Sequence, residues 1–139
     1  GCTSMNSFLK KFAFVAAVMV GTSVSAEMLP GSEWGPAELN GESFTPVADI
    51  FLQFDADGQY FGSGGCNRFS GSFVTNEDAI LFSPAAMTRM ACPPDISQQE
   101  FDFTMALMSA RLFERDGIDL ALSNAEGDVV LRMIQRDAD

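Results

Sequence analysis

From Asp49 onward this chain is broken into short alternating segments joined by very short turns, and that leaves few folds open to it. "DIFLQF" sets Ile50, Leu52 and Phe54 on one face, the period-two pattern of a half-buried strand. "DADG", Asp55 to Gly58, supplies an Asp-Gly turn, and "QYFGS" is the return strand. "FSGSFVT" and "AILFS" form a second pair around the polar turn "NED". Near the end "RLFERDG" leads into "IDLALS" and "DVVLRMI", which alternate on either side of "NAEG". Parallel neighbours need a crossover of about a dozen residues or more, so connections this short predict antiparallel pairing. "CPPD" interrupts the strands, because two consecutive prolines cannot donate backbone hydrogen bonds. Ser97 with Glu100 then has the spacing of a capping box, and Phe101, Met105, Met108 and Leu112 form an apolar stripe at helical spacing. That stripe is expected to pack on the sheet. The segment before Asp49, "MLPGSEWGPAELNGESFTP", reads as a glycine- and proline-rich lead-in. The predicted fold class is α+β: a curved antiparallel sheet or partial barrel with one main helix packed on it.

The first residues are set apart from that domain. Residues 5–26, "MNSFLKKFAFVAAVMVGTSVSA", join a basic start to a short apolar run, with Val24 and Ala26 placed as a signal peptidase reads them. The run is shorter than the roughly 20 apolar residues a stable span needs. The expectation is a cleaved export signal at 5–26 and a single domain at 27–139, periplasmic or secreted, monomeric, with no stable membrane anchor after cleavage. No cysteine follows the apolar run to take a lipid. Beyond Ala26 there are 19 carboxylates against six arginines, or −13. Such a charge repels nucleic acid and anionic lipid, so neither is an expected partner.

The sequence contains no histidine, the commonest general base and metal ligand. That removes most hydrolase mechanisms. "GSGGCNRFSGSF", Gly62 to Phe73, has the glycines of a phosphate cradle, but it continues into strand alternation rather than a helix, and no lysine follows. The glycines are better explained by a bend or by close backbone packing. Cys66 lacks the histidine that would arm a thiol nucleophile, with only Arg68 nearby. Two cysteines and no histidine cannot complete a zinc site without carboxylates. "DADG" lacks the other ligands of a calcium loop. No catalytic residue, metal or cofactor is therefore expected. Cys66 and Cys92 are the two cysteines left after cleavage, and in an oxidising compartment pairing is the expectation, with free thiols the alternative. Arg68 and Arg89 lie close to them in sequence. They are candidates for contacting an anionic ligand, although charge balance favours pairing with the protein's own carboxylates.

"GGCNRFSGSF", then "MTRMACPP", then "EFDFTMAL", then "IDLALSNAEGDVVLRM", with the early Trp34 and the "F…DG" of Phe54 to Gly58, together resemble the META domain, the HslJ-like family of bacterial envelope proteins. The resemblance covers nearly all of the chain after Ala26. It implies a small α+β domain with a curved antiparallel sheet, an exported or envelope location, an association with stress or antibiotic tolerance, and no known catalytic activity. The motif residues it carries over are Gly65, Cys66, Asn67, Arg68, Phe69, Gly71, Thr88, Met90, Cys92 and Pro93. They are expected to be structural, with Asn67 capping backbone groups. The functional expectation is a non-enzymatic exported protein that binds an envelope protein or a small ligand. The alternative is a peptidase inhibitor or enzyme using an exposed loop around Arg68 or Cys92–Asp95.

Overall fold

In the chain's computed structural model, residues 29–136 are described. The expected export signal at residues 5–26 lies outside the described residues. The elements, in order, are β1 (Ser32–Leu39), β2 (Glu42–Ser43), β3 (Phe51–Phe54), β4 (Gln59–Ser63), β5 (Arg68–Asn76), β6 (Ala79–Phe82), β7 (Ala86–Met87), the helix α1 (Pro94–Ser109), β8 (Leu112–Asp116), β9 (Asp119–Ser123) and β10 (Val129–Gln135). The hairpins expected from alternation all form. β3 pairs with β4, β5 with β6, and β9 with β10, each antiparallel.

The sheet runs β10-β9-β8-β6-β5-β4-β3-β1 and returns, because β10 also pairs with β1. Trp34 stands opposite Gln135 and Leu39 opposite Leu131 along that seam. The curved antiparallel sheet is as expected, but it goes further than a partial barrel and closes into eight strands. The closing strand, β1, comes from the segment read as a lead-in. Its proline concealed it: Pro36 sits where the ladder to β10 shifts register before Glu38, one of the few sheet positions that tolerate a residue with no N–H.

One cluster of buried side chains fills the barrel, including Trp34, Leu52, Phe54, Tyr60, Phe69, Leu120, Leu122 and Met133. Phe54 meets Phe73 edge-on at 4.8 Å, and Tyr60 meets Phe82 in the same way at 5.1 Å. Tyr60 is fully buried and its hydroxyl donates to the Ser83 carbonyl at 2.7 Å. Burial raises the pKa of this phenol above its ordinary value, an effect the hydrogen bond to Ser83 opposes in part. A raised folded-state pKa means the contribution is complete below the unfolded pKa of about 10 and is lost as pH rises beyond it. Tyr60 is the single tyrosine in the sequence, so phenolate absorbance reports on it alone. At a pH where the unfolded chain is half ionised, the folded protein should show less phenolate. Tyr60→Phe should cost about 1 kcal/mol.

A closed barrel admits a helix to its interior only at an open end. α1 contributes Phe103, Ala106 and Leu107 to the core cluster, joined by its C-cap Ala110, and so covers the end opposite the tight turns at 55–58, 77–78 and 117–118. Two expectations about it are corrected. Helix α1 starts at Pro94, with Pro93 at the N-cap and no side-chain cap, so Ser97 and Glu100 form no capping box. Proline suits the first turn, where its missing N–H has no intrahelical partner to lose. The buried face is Gln99, Glu100, Phe103, Ala106 and Leu107. Of the expected stripe, Met108 does pack against the core, but Phe101 and Met105 are 59% and 56% exposed, and Leu112 lies in β8. Both faces have helical spacing, and the one with small alanines lets the helix axis approach the barrel mouth closely.

Candidate functional site

The two cysteine-centred motifs meet at the covered end of the barrel. The β4–β5 connection, residues 64–67, lies against the first turns of α1, and a strap, residues 88–92, runs from β7 to the helix without regular structure of its own. Cys66 and Cys92 are joined by a disulfide, with Cα atoms 6.2 Å apart. It ties the connection to the strap.

Glu100 organises the junction. The residue is buried, 6% exposed. One carboxylate oxygen accepts from the N–H groups of Asn67 (2.6 Å) and Cys66 (3.3 Å), and the other from Asn67 Nδ2 at 2.7 Å. The amide oxygen of Asn67 accepts in turn from the Met90 N–H at 2.6 Å and the Thr88 hydroxyl at 3.0 Å. Thr88 Oγ1 also accepts from the Arg68 N–H at 3.0 Å. Beside this chain of bonds, Gln99 accepts from the Val47 N–H at 2.8 Å and donates to the carbonyls of Ala48 and Gly64 at 2.8 and 3.1 Å. Among the described residues no buried side-chain nitrogen or oxygen is left without a partner.

The glycines follow from the same packing. A Cβ on Gly64 would fall 2.8 Å from Glu100 Oε2. Gly65 has φ +109°, which side chains rarely adopt, and a Cβ there would crowd the Gln99 amide. The stretch that resembled a phosphate cradle is where two helix side chains press on bare backbone. Of the other motif residues, Phe69 is buried in the core beside Phe103, with ring centroids 6.0 Å apart. A Cβ on Gly71 would fall 2.7 Å from Ser83 Oγ and from Tyr60. Pro93 and Pro94 start the helix. Residues Gln99 and Glu100, which hold the site together, were not singled out as such by sequence reasoning. Their signal was their place on the Phe103–Leu107 face.

The loop alternatives change as well. Arg68 is the first residue of β5 rather than a loop residue, and Pro94 and Asp95 belong to the helix. Nor do Arg68 and Arg89 pair with carboxylates as charge balance suggested. Arg111 donates to carbonyls at the end of α1, Arg115 lies 4.9 Å from the Trp34 ring, Arg132 faces Glu38, and Arg136 faces Glu33 and Asp49. Among the described residues, only the guanidinium groups of Arg68 and Arg89 have no such partner. Arg68 lines one surface depression and Arg89 a neighbouring one, and the two depressions share Met87 and Thr88. Among the described residues there is no cluster of three or more metal-binding side chains, and no helix is long and apolar enough to cross a membrane.

Comparison with known families finds a META domain over residues 27–137. The chain belongs to the META domain family. No curated protein matches it. Among solved structures, this META-domain chain is similar to a protein from Burkholderia xenovorans determined by NMR, at 22% identity and a TM-score of 0.65, over 83% of this chain and 88% of that one. A second NMR structure matches at 24% identity and a TM-score of 0.61, over 78% and 92% of the two chains. A duf4847 family protein from Bacteroides vulgatus, solved by crystallography, matches at 16% identity and a TM-score of 0.60, over 81% and 98%. At these identities the three show a shared fold and nothing more.

Proposed function

We propose that this META-domain protein is an exported, non-enzymatic binding module of the bacterial envelope, acting in stress or antibiotic tolerance. It engages an anionic group on a protein or small ligand through the face that carries Arg68 and Arg89. The observation behind this reading is the state of those two side chains: in a chain with 19 acidic residues, they alone of the six arginines have no partner among the described residues. A guanidinium kept free amid so many carboxylates is available for a bidentate contact with an outside carboxylate or phosphate. The motif around them supports the binding reading over a catalytic one, because Asn67, Thr88 and Glu100 spend their hydrogen bonds on one another and on backbone. The missing histidine points the same way.

Capture from envelope extract, comparing the wild-type domain with Arg68→Ala/Arg89→Ala, tests the reading. The variant should melt with the wild type, since exposed side chains without partners contribute within about 0.5 kcal/mol. It should lose the captured partner. A partner retained by the folded double variant would refute this face. N-terminal sequencing of the exported protein should begin at Glu27.

A further inference from the structure

The strap next to the two free arginines has an unpaired backbone edge. β7 pairs with β5 and with no other strand among the described residues. The N–H of Thr88 donates to the Arg68 carbonyl at 3.1 Å, and that of Met90 to Asn67, so the even-numbered positions face the barrel. In extended backbone successive N–H and C=O pairs point to opposite sides. Those of Met87 and Arg89, which alternate with the inward-facing positions 86, 88 and 90, therefore point outward, and among the described residues nothing bonds to the backbone of Met87, Arg89 or Ala91. All six residues from 86 to 91 are exposed. Sheet edges of this kind are templates for another strand.

From this edge we infer that the protein recognises an extended peptide segment with two adjacent acidic side chains, which adds as a strand alongside residues 87–91. The inference rests on the binding face proposed above and names what occupies it. Adjacent residues of a strand project to opposite faces, and the β5–β7 register sets Arg68 on the face of Thr88, so Arg89 leaves from the other. One depression is lined by Phe51, Phe61, Arg68 and Ala86, the other by Asn67, Arg89 and Met90. A Glu-Glu pair in the added strand would send one carboxylate toward Arg68 and the next toward Arg89. Flanking apolar residues would meet Phe61 and Met90, which are 37% and 59% exposed. The backbone ladder supplies affinity and the two arginines select acidic residues. The −13 charge of the remaining domain does not forbid this, since repulsion is screened over about 8 Å at physiological salt while contact pairs persist.

The test uses NMR on the full chain with a blocked Thr-Val-Glu-Glu-Val-Thr peptide. Binding should perturb residues 86–91 and Phe61, and slow hydrogen exchange at the amides of Met87, Arg89 and Ala91. Arg68→Ala and Arg89→Ala should each weaken it about tenfold, the effect of losing one charge-assisted bond. A Gln-Gln version of the peptide and a version N-methylated along one edge should both fail to bind. Undiminished binding by either control overturns the inference, as does a footprint elsewhere on the barrel. Self-association of the chain that protects the same amides without peptide would overturn it too, by making a second copy the occupant. If succinate shifts the Arg68 and Arg89 side-chain resonances while the peptide fails, the edge is refuted and the anionic face stands. If neither binds, both readings fall.

Discussion

Glu100→Ala should cost about 4 kcal/mol, because it leaves three N–H donors facing a space that water barely reaches. Against the 5–15 kcal/mol typical of a domain, that is a large share of total stability. Glu100→Gln keeps the shape but turns an NH2 group toward groups that donate, so about half the loss is expected. The effect should be far from additive with Asn67→Ala. The two residues share the 2.7 Å bond between Asn67 Nδ2 and Glu100, and once one is gone the other has less to lose. Urea unfolding of the three single variants and the Glu100→Ala/Asn67→Ala double variant checks all three statements. A Glu100→Ala protein within about 1 kcal/mol of wild type would mean that water, not the protein, satisfies those donors.

Removing the disulfide is the second large effect. Cys66→Ser/Cys92→Ser opens a loop with a sequence separation of 26 residues, which the chain-entropy estimate values at about 3.5 kcal/mol. For a domain of this size the melting temperature should drop by roughly 15 °C. Reductant added to the wild type should reproduce the drop, and thiol titration of the unfolded, unreduced domain should find neither Cys66 nor Cys92 free. The loss should also be local. With the staple gone, the bonds of Thr88 and Met90 to Arg68 and Asn67 are left to hold the strap, and exchange at residues 88–92 should accelerate more than in the barrel strands. Uniform acceleration would show that the disulfide acts on the unfolded chain alone.

What alternation reveals is local, and the hairpins are local structures. Ile50, Leu52 and Phe54 all proved buried, and "DADG" became a turn in which Asp55 Oδ1 accepts from the N–H groups of Asp57 and Gln59. Barrel closure is not local. It depends on β1 meeting β10 from the far end of the chain, through a strand interrupted by Pro36. The helix shows a different limit. Phe101–Met105–Met108 and Phe103–Ala106–Leu107 are both legitimate faces by spacing, and only the shape of the barrel mouth decides between them. Glu100 illustrates the same point within the site. Three residues from Ser97 it fits a capping box, yet its partners are Cys66 and Asn67, more than thirty positions away in sequence. The motif glycines were correctly read as packing, but what they pack against could not be named without the helix in place.

The seam between β1 and β10 also governs when the fold can exist. Trp34 lies opposite Gln135, so the first strand waits for the last before its edge is covered. Pairings this distant in sequence make folding slow, and an incomplete chain has two raw edges and an open core. A domain of this design stays unfolded until its final strand is available. For a protein that we propose crosses a membrane before it works, that delay keeps the chain threadable during passage and lets the barrel shut on the far side.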